Sequence, residues 1–232
     1  MKAGSEVREV EALNLAAIAA ARHTIYLENQ YLASRKLATA LAERLIEPDG
    51  PEIVVVLPRR SESRLERESM DTARHDLLEM LWEADEHRRF GVYWPVAESG
   101  TPVYVHSKVM VIDDRLLRIG SSNLNNRSTG FDSECDMAIE DQPGVTIAVR
   151  NQLVSEHLGV TSDDFVAAVA EHGTFLSAVE ALRRDGRTLV AFTAETLKDE
   201  AGPLAENDLM DPDHVPRSIT HTVQRLIGRL TE

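Results

Sequence analysis

Helix-like and strand-like segments alternate through the first 140 residues, and this alternation constrains the fold more than any other feature of the chain. Residues 6–21 carry apolar side chains at helical spacing, and residues 24–32 are then rich in β-branched and aromatic side chains. A second helical pattern precedes the apolar run at 53–57, which turn residues bound on both sides. Such a run is typical of a strand covered on both faces, so the sequence predicts an α/β sheet with helices packed against it.

Charge and composition limit the functions open to this chain. Its 232 residues include 25 basic and 39 acidic side chains, giving a formal net charge of −14, and 43% of them are hydrophobic. That content suffices for one sizeable core, whereas the negative charge argues against a broad electrostatic grip on nucleic acid. Nucleic acid is therefore not an expected partner. Because no apolar run reaches the roughly 18 residues that a membrane span requires, the only membrane contact we expect is peripheral.

The segment 104–141 contains the residues best suited to chemistry. Residues two apart in a strand point the same way, which predicts that His106 and Lys108 project from one face of a strand over 103–112. An imidazole can attack or protonate at neutral pH, and an adjacent ammonium can hold a negatively charged oxygen. Together the two side chains suit a phosphoryl centre.

A glycine-containing turn and a carboxylate follow this pair. Gly120 allows close approach of the backbone to a ligand, while Ser122 and Asn123 can donate hydrogen bonds to phosphate oxygens. Glu134 offers a carboxylate that can orient a histidine. Asp113 completes the spacing His-x-Lys-x4-Asp, for which the composition predicts roughly 0.01 chance occurrences. We therefore prefer a functional interpretation of the motif to a purely structural one.

These residues resemble the phospholipase D superfamily, whose signature is matched by His106, Lys108 and Asp113. The sequence GSSNLNNRS at 120–128 resembles the glycine-serine-x-asparagine extension of that family, and the segment 132–134 resembles its acidic segment. The family match is therefore carried by three neighbouring groups of residues rather than by the motif alone.

Two further segments indicate which part of the family is involved. The sequence at 25–31 resembles the strand that precedes the second motif of two-motif members, and EHLG at 156–159 is similar to bacterial members. The resemblance covers residues 6–160 and is closest to the C-terminal half of a bacterial two-motif phospholipase D. It implies a mixed β-sheet flanked by helices on both faces.

The chain is accordingly expected to have two parts. Residues 1–160 would form a phospholipase D-like catalytic half-domain. Residues 161–232 would form a helical extension followed by a C-terminal strap, both packed on the same domain, because the pattern turns helical and prolines then interrupt the last thirty residues.

The resemblance also implies phosphodiester hydrolysis or transphosphatidylation through a phosphohistidine. One histidine attacks phosphorus, a second protonates the departing alcohol, and water or another alcohol then cleaves the intermediate. No metal or other cofactor is expected, so Lys108 and Asn123, with Ser122, would meet the charge on the phosphate. By family analogy Glu134 fixes the tautomer of His106, while Asp113, although part of the catalytic motif, is structural.

Two residues outside the motif are candidates for the same cleft. Glu28 and Gln30 are predicted to share a strand face and could line the cleft, but a buried structural network is an equal alternative for both.

The mechanism requires a second histidine that this motif does not supply. In an in-line displacement the nucleophile must be unprotonated and the acid protonated, and none of the other seven histidines is followed by lysine two residues later. The second motif would come from a missing N-terminal half of the same protein, which we favour and which would make His106 the general acid. The alternative is a second copy of the chain in a homodimer.

Three functions remain open on this basis. The leading hypothesis is a bacterial, cytoplasmic or peripherally membrane-bound enzyme that acts on glycerophospholipid headgroups, with this chain supplying half of the active site. The second is a homodimeric one-motif phosphodiesterase or nuclease. The third is a non-catalytic half-domain that is inactive without its partner half.

Overall fold

The computed structural model describes residues 7–63, 66–140, 144–198 and 211, with the side chain of residue 68 excepted. The first elements are α1 (Glu9–Ala20), β1 (Thr24–Glu28), α2 (Arg35–Ile46), β2 (Glu52–Val56), a π-helical turn (Arg67–Asp71), α3 (Thr72–Ala84) and β3 (Phe90–Val96). The next are β4 (Val109–Ile112), β5 (Leu116–Gly120), α4 (Asn126–Gly130) and β6 (Asp136–Glu140). The last are α5 (Val145–Leu158), α6 (Ser162–His172), α7 (Phe175–Leu182), β7 (Thr188–Ala191) and α8 (Ala194–Leu197).

The seven strands form one mixed sheet in the order β6-β5-β4-β1-β2-β3-β7. Strands β1, β2 and β3 run parallel, and the other neighbouring pairs are antiparallel. Helices α1, α2 and α3 cover one face, and α5, α6 and α7 cover the other. The predicted α/β fold, a mixed sheet with helices on both faces, is therefore confirmed.

Alternation along the strands explains the two layers of core. In β1, Ile25 and Leu27 face the α1–α3 layer, whereas Tyr26 faces the α5–α7 layer. Leu41 of α2 and Phe165 of α6 are buried in these two layers. Burying each such side chain contributes roughly 1.5–3 kcal/mol, so both faces of the sheet hold the strands in register.

The part of the chain after residue 160 is helical at first, as predicted, but it then returns to the sheet. Strand β7 pairs antiparallel with β3 and extends the sheet by one strand, which the sequence analysis did not predict. Phe175 and Leu189 lie in the same core as α5. Most of the predicted strap and the predicted terminal helix fall outside the described residues. Within the strap, the carboxylate of Asp211 accepts hydrogen bonds from the backbone N–H groups of Asn126 and Arg127 at the start of α4, at 2.8 and 2.7 Å.

The strand predicted over 103–112 is shorter than expected. Strand β4 begins at Val109, and residues 103–108 approach it without strand pairing. The reason is the length of the neighbouring strand, because Val109 pairs with Glu28, the last residue of β1. Val105 nevertheless lies in the same apolar cluster as Val109 and Val111, as the predicted alternation requires.

No single helix in the described ranges is both long and apolar enough to cross a bilayer. Helices α6 and α7 meet the criteria of length and composition only when taken together, and they are bent by 118° relative to one another.

Candidate active site

Three strand ends bring the sequence-predicted residues to one edge of the sheet. Glu28 ends β1 opposite Val109, the first residue of β4, so Lys108 lies just beyond the end of β1. Gly120 ends β5 at the same edge, and its N–H donates to the carbonyl of Lys108 at 3.2 Å. The His106–Lys108 segment and the turn that follows Gly120 are therefore neighbours across the sheet.

Lys108 is buried at this edge and held by two acceptors. Its residue is 6% exposed, and Nζ donates to Oε1 of Gln30 at 3.1 Å and to the backbone carbonyl of His106 at 2.8 Å. An ammonium has three protons, so one remains for a ligand. Burial lowers the pKa of Lys108, and the nearby carboxylate of Glu134 opposes that shift.

His106 is exposed, and its side chain makes no hydrogen bond within the described residues. The imidazole stacks on the ring of Tyr104, with centroids 6.4 Å apart and an angle of 25° between the planes. Because no described residue bonds either ring nitrogen of His106, both nitrogens can contact a substrate.

Glu134 makes a different contact from the one implied by the family resemblance. Its carboxylate accepts a hydrogen bond from Oγ of Ser121 at 2.5 Å, and it does not bond the imidazole of His106 among the residues described. Ser121 N–H in turn donates to the carbonyl of Cys135 at 3.2 Å. The acidic segment and the turn are thus fastened to one another, and the imidazole of His106 is hydrogen-bonded to neither among the described residues.

Gln30 connects Lys108 to a group of tyrosines. Its Nε2 donates to the hydroxyls of Tyr31 and Tyr104, each at 2.9 Å, and the Tyr31 hydroxyl donates to Glu66 at 3.0 Å. Burial raises the pKa of Tyr31, and the bond to Glu66 adds to that shift, which keeps the phenol protonated. Gln30 follows the end of β1, so it does not share a strand face with Glu28.

Glu28 belongs to a buried network rather than to an open wall. The residue is 2% exposed, and it accepts hydrogen bonds from Tyr26, from Ser107 at 2.7 Å and from His157 at 3.1 Å. Of the two alternatives weighed for this residue, the buried network describes it.

The expectation that Ser122 holds phosphate through its hydroxyl is wrong. Ser122 is 0% exposed, and its hydroxyl is hydrogen-bonded to Arg118 and to Asp136, which form an ion pair of their own. The adjacent Ser121 is exposed instead and contacts Glu134. Sequence reasoning missed Ser121, since nothing local distinguishes two consecutive serines until the end of β5 fixes which one points outward.

The side chain of Asn123, unlike that of Ser122, has a polar atom without a partner among the described residues. The side chain is half-buried, and its Oδ1 is buried without a hydrogen-bond partner in the described part of the chain. The amide nitrogen and oxygen are interchangeable by rotation, so this unused position can present a donor to a ligand.

Asp113 lies at the opposite end of β4 from His106. Its carboxylate accepts from the backbone N–H groups of Arg22, His23 and Thr24 at 2.7, 2.6 and 2.9 Å. The carboxylate therefore fixes the start of β1 and does not reach the edge with Lys108, and a structural role remains the prediction for Asp113.

One group of potential metal ligands lies elsewhere, on the first turns of α3. His75, Asp76 and Glu79 have ligand atoms within 4.8 Å of one another, and the two acids are exposed. Exposed acids next to a histidine on one helix face are common without an ion, and the three residues lie outside the edge described above.

Comparison with known proteins identifies the family. Residues 15–155, more than half of the chain, match the family described as "Cardiolipin synthase, PLD-like domain". A phospholipase D of Phytophthora infestans is 26% identical over 214 residues, covering 68% of this chain and 12% of that protein. Phospholipase D zeta 2 of Arabidopsis thaliana is 42% identical over 82 residues, covering 28% of this chain and 8% of that protein. The chain therefore spans only a small part of the curated relatives it matches.

Solved structures give weaker matches. Nuc from Salmonella typhimurium, a phospholipase D family member, aligns with a TM-score of 0.48 and 17% identity, covering 61% of this chain and 82% of that one. The phosphatidylserine synthase of Haemophilus influenzae aligns with a TM-score of 0.47 and 18% identity, covering 62% and 34%.

Proposed function

The chain belongs to the phospholipase D superfamily, and from that premise we propose that it supplies one half-site for phosphodiester exchange on glycerophospholipid headgroups. The observation that carries the proposal is the juxtaposition of His106, Lys108 and Asn123 at one edge of the sheet. Among the described residues, the imidazole of His106 makes no hydrogen bond, and Lys108 Nζ donates to two acceptors and so has one proton left. The side-chain amide of Asn123 also has a polar atom without a partner in that part of the chain.

Lys108 and Asn123 would hold the phosphate. Donors to the non-bridging oxygens would stabilise the negative charge that develops as phosphorus is attacked. Lys108 is suited to this because Gln30 and the carbonyl of His106 fix its Nζ before a substrate arrives. A preoriented donor costs little reorganisation during the reaction, so we assign Lys108 the larger share of phosphate binding.

His106 would react with the substrate directly, either by forming a bond to phosphorus or by giving a proton to the departing oxygen. In the first step a ring nitrogen of one histidine forms a bond to phosphorus while the bond from phosphorus to the alcohol oxygen breaks. The second histidine gives its proton to that departing oxygen. In the second step water or another alcohol gives a proton to the second histidine, now unprotonated, and its oxygen bonds to phosphorus while the bond from phosphorus to the first histidine breaks. In the two-half arrangement that we favour, His106 is the proton donor of the first step.

The second half-site would come from a partner that covers an exposed apolar surface beside the turn. Ile119 of β5 is 46% exposed, and Met137 and Ile139 of β6 are 61% and 38% exposed. We call these three residues the β5–β6 strip. Ile119 pairs directly with Met137, one residue away from Gly120, so the strip begins next to the candidate active site.

The strip continues a sheet face that is covered elsewhere. Leu117 pairs with Ile139, and Leu117 belongs to the same apolar cluster as Val109 and the helices α5–α7. A row of exposed apolar side chains on an edge of the sheet is typical of a protein contact. We therefore propose that a second phospholipase D-like half, either an N-terminal half of the same protein or a second copy of this chain, packs on the β5–β6 strip.

The proposed substrate is a lipid rather than a nucleic acid because of charge. A net charge of −14 opposes accumulation of a polyanion around the protein, whereas a single phosphodiester can be held by local donors. We expect contact with the lipid surface to be peripheral.

The assembly is tested by sizing the chain by light scattering and by pairing it with an N-terminal half that carries its own motif. Ile139→Lys is expected to abolish pairing, since it places a charge in the apolar contact. Ile46→Lys is the matched control, because Ile46 is 53% exposed on the opposite layer at the end of α2. Equal loss of pairing in both variants, or in neither, would contradict the proposed surface.

The substrate is tested by product analysis of the assembled protein on phosphatidylcholine, phosphatidylethanolamine and DNA. Release of the headgroup from lipid, with DNA left intact, is the expected result. Cleaved DNA with intact lipid would instead support the nuclease alternative. Activity of the assembly that survives loss of His106 would support the non-catalytic half-domain.

A further inference from the structure

A buried carboxylate lies directly beneath the segment that carries His106. Glu28 is the last residue of β1, opposite Val109, and its Oε2 accepts a hydrogen bond from Oγ of Ser107 at 2.7 Å. Ser107 is the residue between His106 and Lys108. This hydrogen bond therefore attaches the middle residue of the His-x-Lys sequence to the end of β1.

The other carboxylate oxygen is held by two different elements. Oε1 accepts from the hydroxyl of Tyr26 on β1 and from Nε2 of His157 at 3.1 Å. His157 lies in the last turn of α5, next to Leu158, which is 0% exposed. Because Tyr26 is also 0% exposed, neither donor can move far without disturbing the core.

The network offsets the cost of burying Glu28, but stability alone does not require a carboxylate at this position. Burial opposes ionisation of Glu28, yet the bonds from His157, Tyr26 and Ser107 together hold its pKa below the ordinary value. Replacing a buried, paired charge by a well-packed apolar side chain is often neutral or stabilising. What the carboxylate supplies, and an apolar residue cannot, is a directed hydrogen bond to Ser107.

The segment 103–108 depends on such bonds, because it is not paired as a strand. Backbone contacts fix its ends, where the N–H of Val103 donates to Pro95 at 2.8 Å and the carbonyl of Lys108 accepts from Gly120. His106, between these ends, has an exposed side chain that makes no hydrogen bond in the described ranges. The position of its backbone is thus set by the residues on either side.

We propose that Glu28 and His157 are positioning residues that act through Ser107 to hold His106 and Lys108 in their relative orientation. Neither residue contacts the substrate in this proposal. Its effect on rate depends on the proposed function, whereas its effect on the order of the segment does not. Because His157 on α5 bonds Glu28, which in turn bonds Ser107, we also expect a substitution at His157 to change the position of His106.

The test uses Ser107→Ala, which removes the hydroxyl, and Ser107→Thr, which restores one. Ser99→Ala is the matched control, since Ser99 is exposed and contacts only the hydroxyl of Thr101 in the described residues. Hydrogen–deuterium exchange of peptides covering 104–109 reports the order of the segment, and thermal unfolding reports global stability. Steady-state kinetics on a short-chain phospholipid separates kcat from KM in the assembled enzyme.

Ser107→Ala is expected to accelerate exchange in the segment about tenfold without changing exchange elsewhere or the unfolding temperature. It should lower kcat by roughly 10–100-fold, with KM nearly unchanged, because a misplacement of about 1 Å can cost that much. Ser107→Thr should recover both quantities. His157→Leu should reproduce the faster exchange, whereas His157→Gln, which keeps a donor, should not.

Unchanged exchange in Ser107→Ala would overturn the proposal, whatever the activity. Faster exchange throughout the protein with a lower unfolding temperature would overturn it as well, since that pattern describes a merely structural contact. If the wild-type protein cleaves no phosphodiester, the proposed function fails while the exchange measurements still decide the positioning claim.

Discussion

The guanidinium of Arg118 and the carboxylate of Asp136 meet at 2.6 Å directly behind the turn that carries Asn123. Their side chains are 1% and 3% exposed, and both bond the hydroxyl of Ser122. Burial favours the neutral carboxyl, yet the bonds from Ser122 and Arg118 hold the pKa of Asp136 below its ordinary value. The turn is therefore anchored by a buried ion pair rather than by apolar packing.

Breaking this pair from one side should be more harmful than removing it. Arg118→Met leaves a buried carboxylate without its cation and is expected to cost about 3–5 kcal/mol of unfolding free energy. The double variant Arg118→Met/Asp136→Leu should recover most of that loss, because no buried charge remains. Urea unfolding of the two variants and the wild type measures the difference. A single variant as stable as the wild type would show that the pair does not stabilise the turn.

Asp113 should affect stability and not chemistry. Asp113→Ala leaves three backbone N–H groups without their acceptor and is expected to cost about 1–3 kcal/mol. Asp113→Asn should cost less, because the amide oxygen still accepts and asparagine tolerates the positive φ of 51° at this position. Urea unfolding provides the measurement, with kcat of the assembled enzyme as the companion readout. A large fall in kcat at unchanged stability would place Asp113 in the chemistry after all.

Lys108 should affect chemistry far more than stability. Lys108→Met removes the donor that we assign to the phosphate and is expected to lower kcat by roughly 10²–10³-fold. Lys36→Met is the control, since the Lys36 side chain is 58% exposed on α2 and pairs with Glu11 of α1, away from this edge of the sheet. Steady-state rates of headgroup release compare the two variants. Equal rates in both would remove Lys108 from the proposed phosphate site.

The depressed pKa of Glu28 predicts a pH dependence of stability. Its folded-state pKa lies below the ordinary 4.5, so the ionised carboxylate stabilises the protein fully above about pH 4.5, and this contribution is lost as the pH falls through the folded-state pKa. The urea midpoint of the wild type should therefore fall more steeply over that acidic range than the midpoint of Glu28→Gln. Glu43→Gln, at an exposed position on α2, is the control. Parallel curves for wild type and Glu28→Gln would contradict the shift.

Local sequence pattern was sufficient to predict the fold class and the motif, but not every strand of the sheet. Alternating apolar residues and a helix between successive strands predict the layered sheet, because both features follow from which faces must be buried. Strand β7 was missed since Thr188–Ala191 is short and becomes a strand only because the free edge of β3 is available to pair with it. That edge is a property of the assembled sheet, and no local pattern encodes it.

The contacts around His106 were harder to predict than the residue itself. The motif indicates His106 and Lys108, but the network of Glu28, Ser107 and His157 joins residues separated by up to 129 positions in the chain. Ser122 was chosen over Ser121 for the same reason, as their exposure depends on a buried partner, Arg118, that the turn sequence does not reveal. Side-chain orientation at strand ends is thus set by tertiary packing.

The most direct test of the proposed chemistry is the rate of headgroup release by the assembled protein in which His106 is replaced by alanine. His172→Ala is the matched control, because His172 is exposed at the end of α6, in the layer formed by α5–α7. We predict that His106→Ala lowers the rate by roughly 10²–10⁴-fold while the control retains wild-type activity and both variants unfold at the wild-type urea concentration. A His106→Ala protein that assembles, folds and releases headgroup at the wild-type rate would contradict the account.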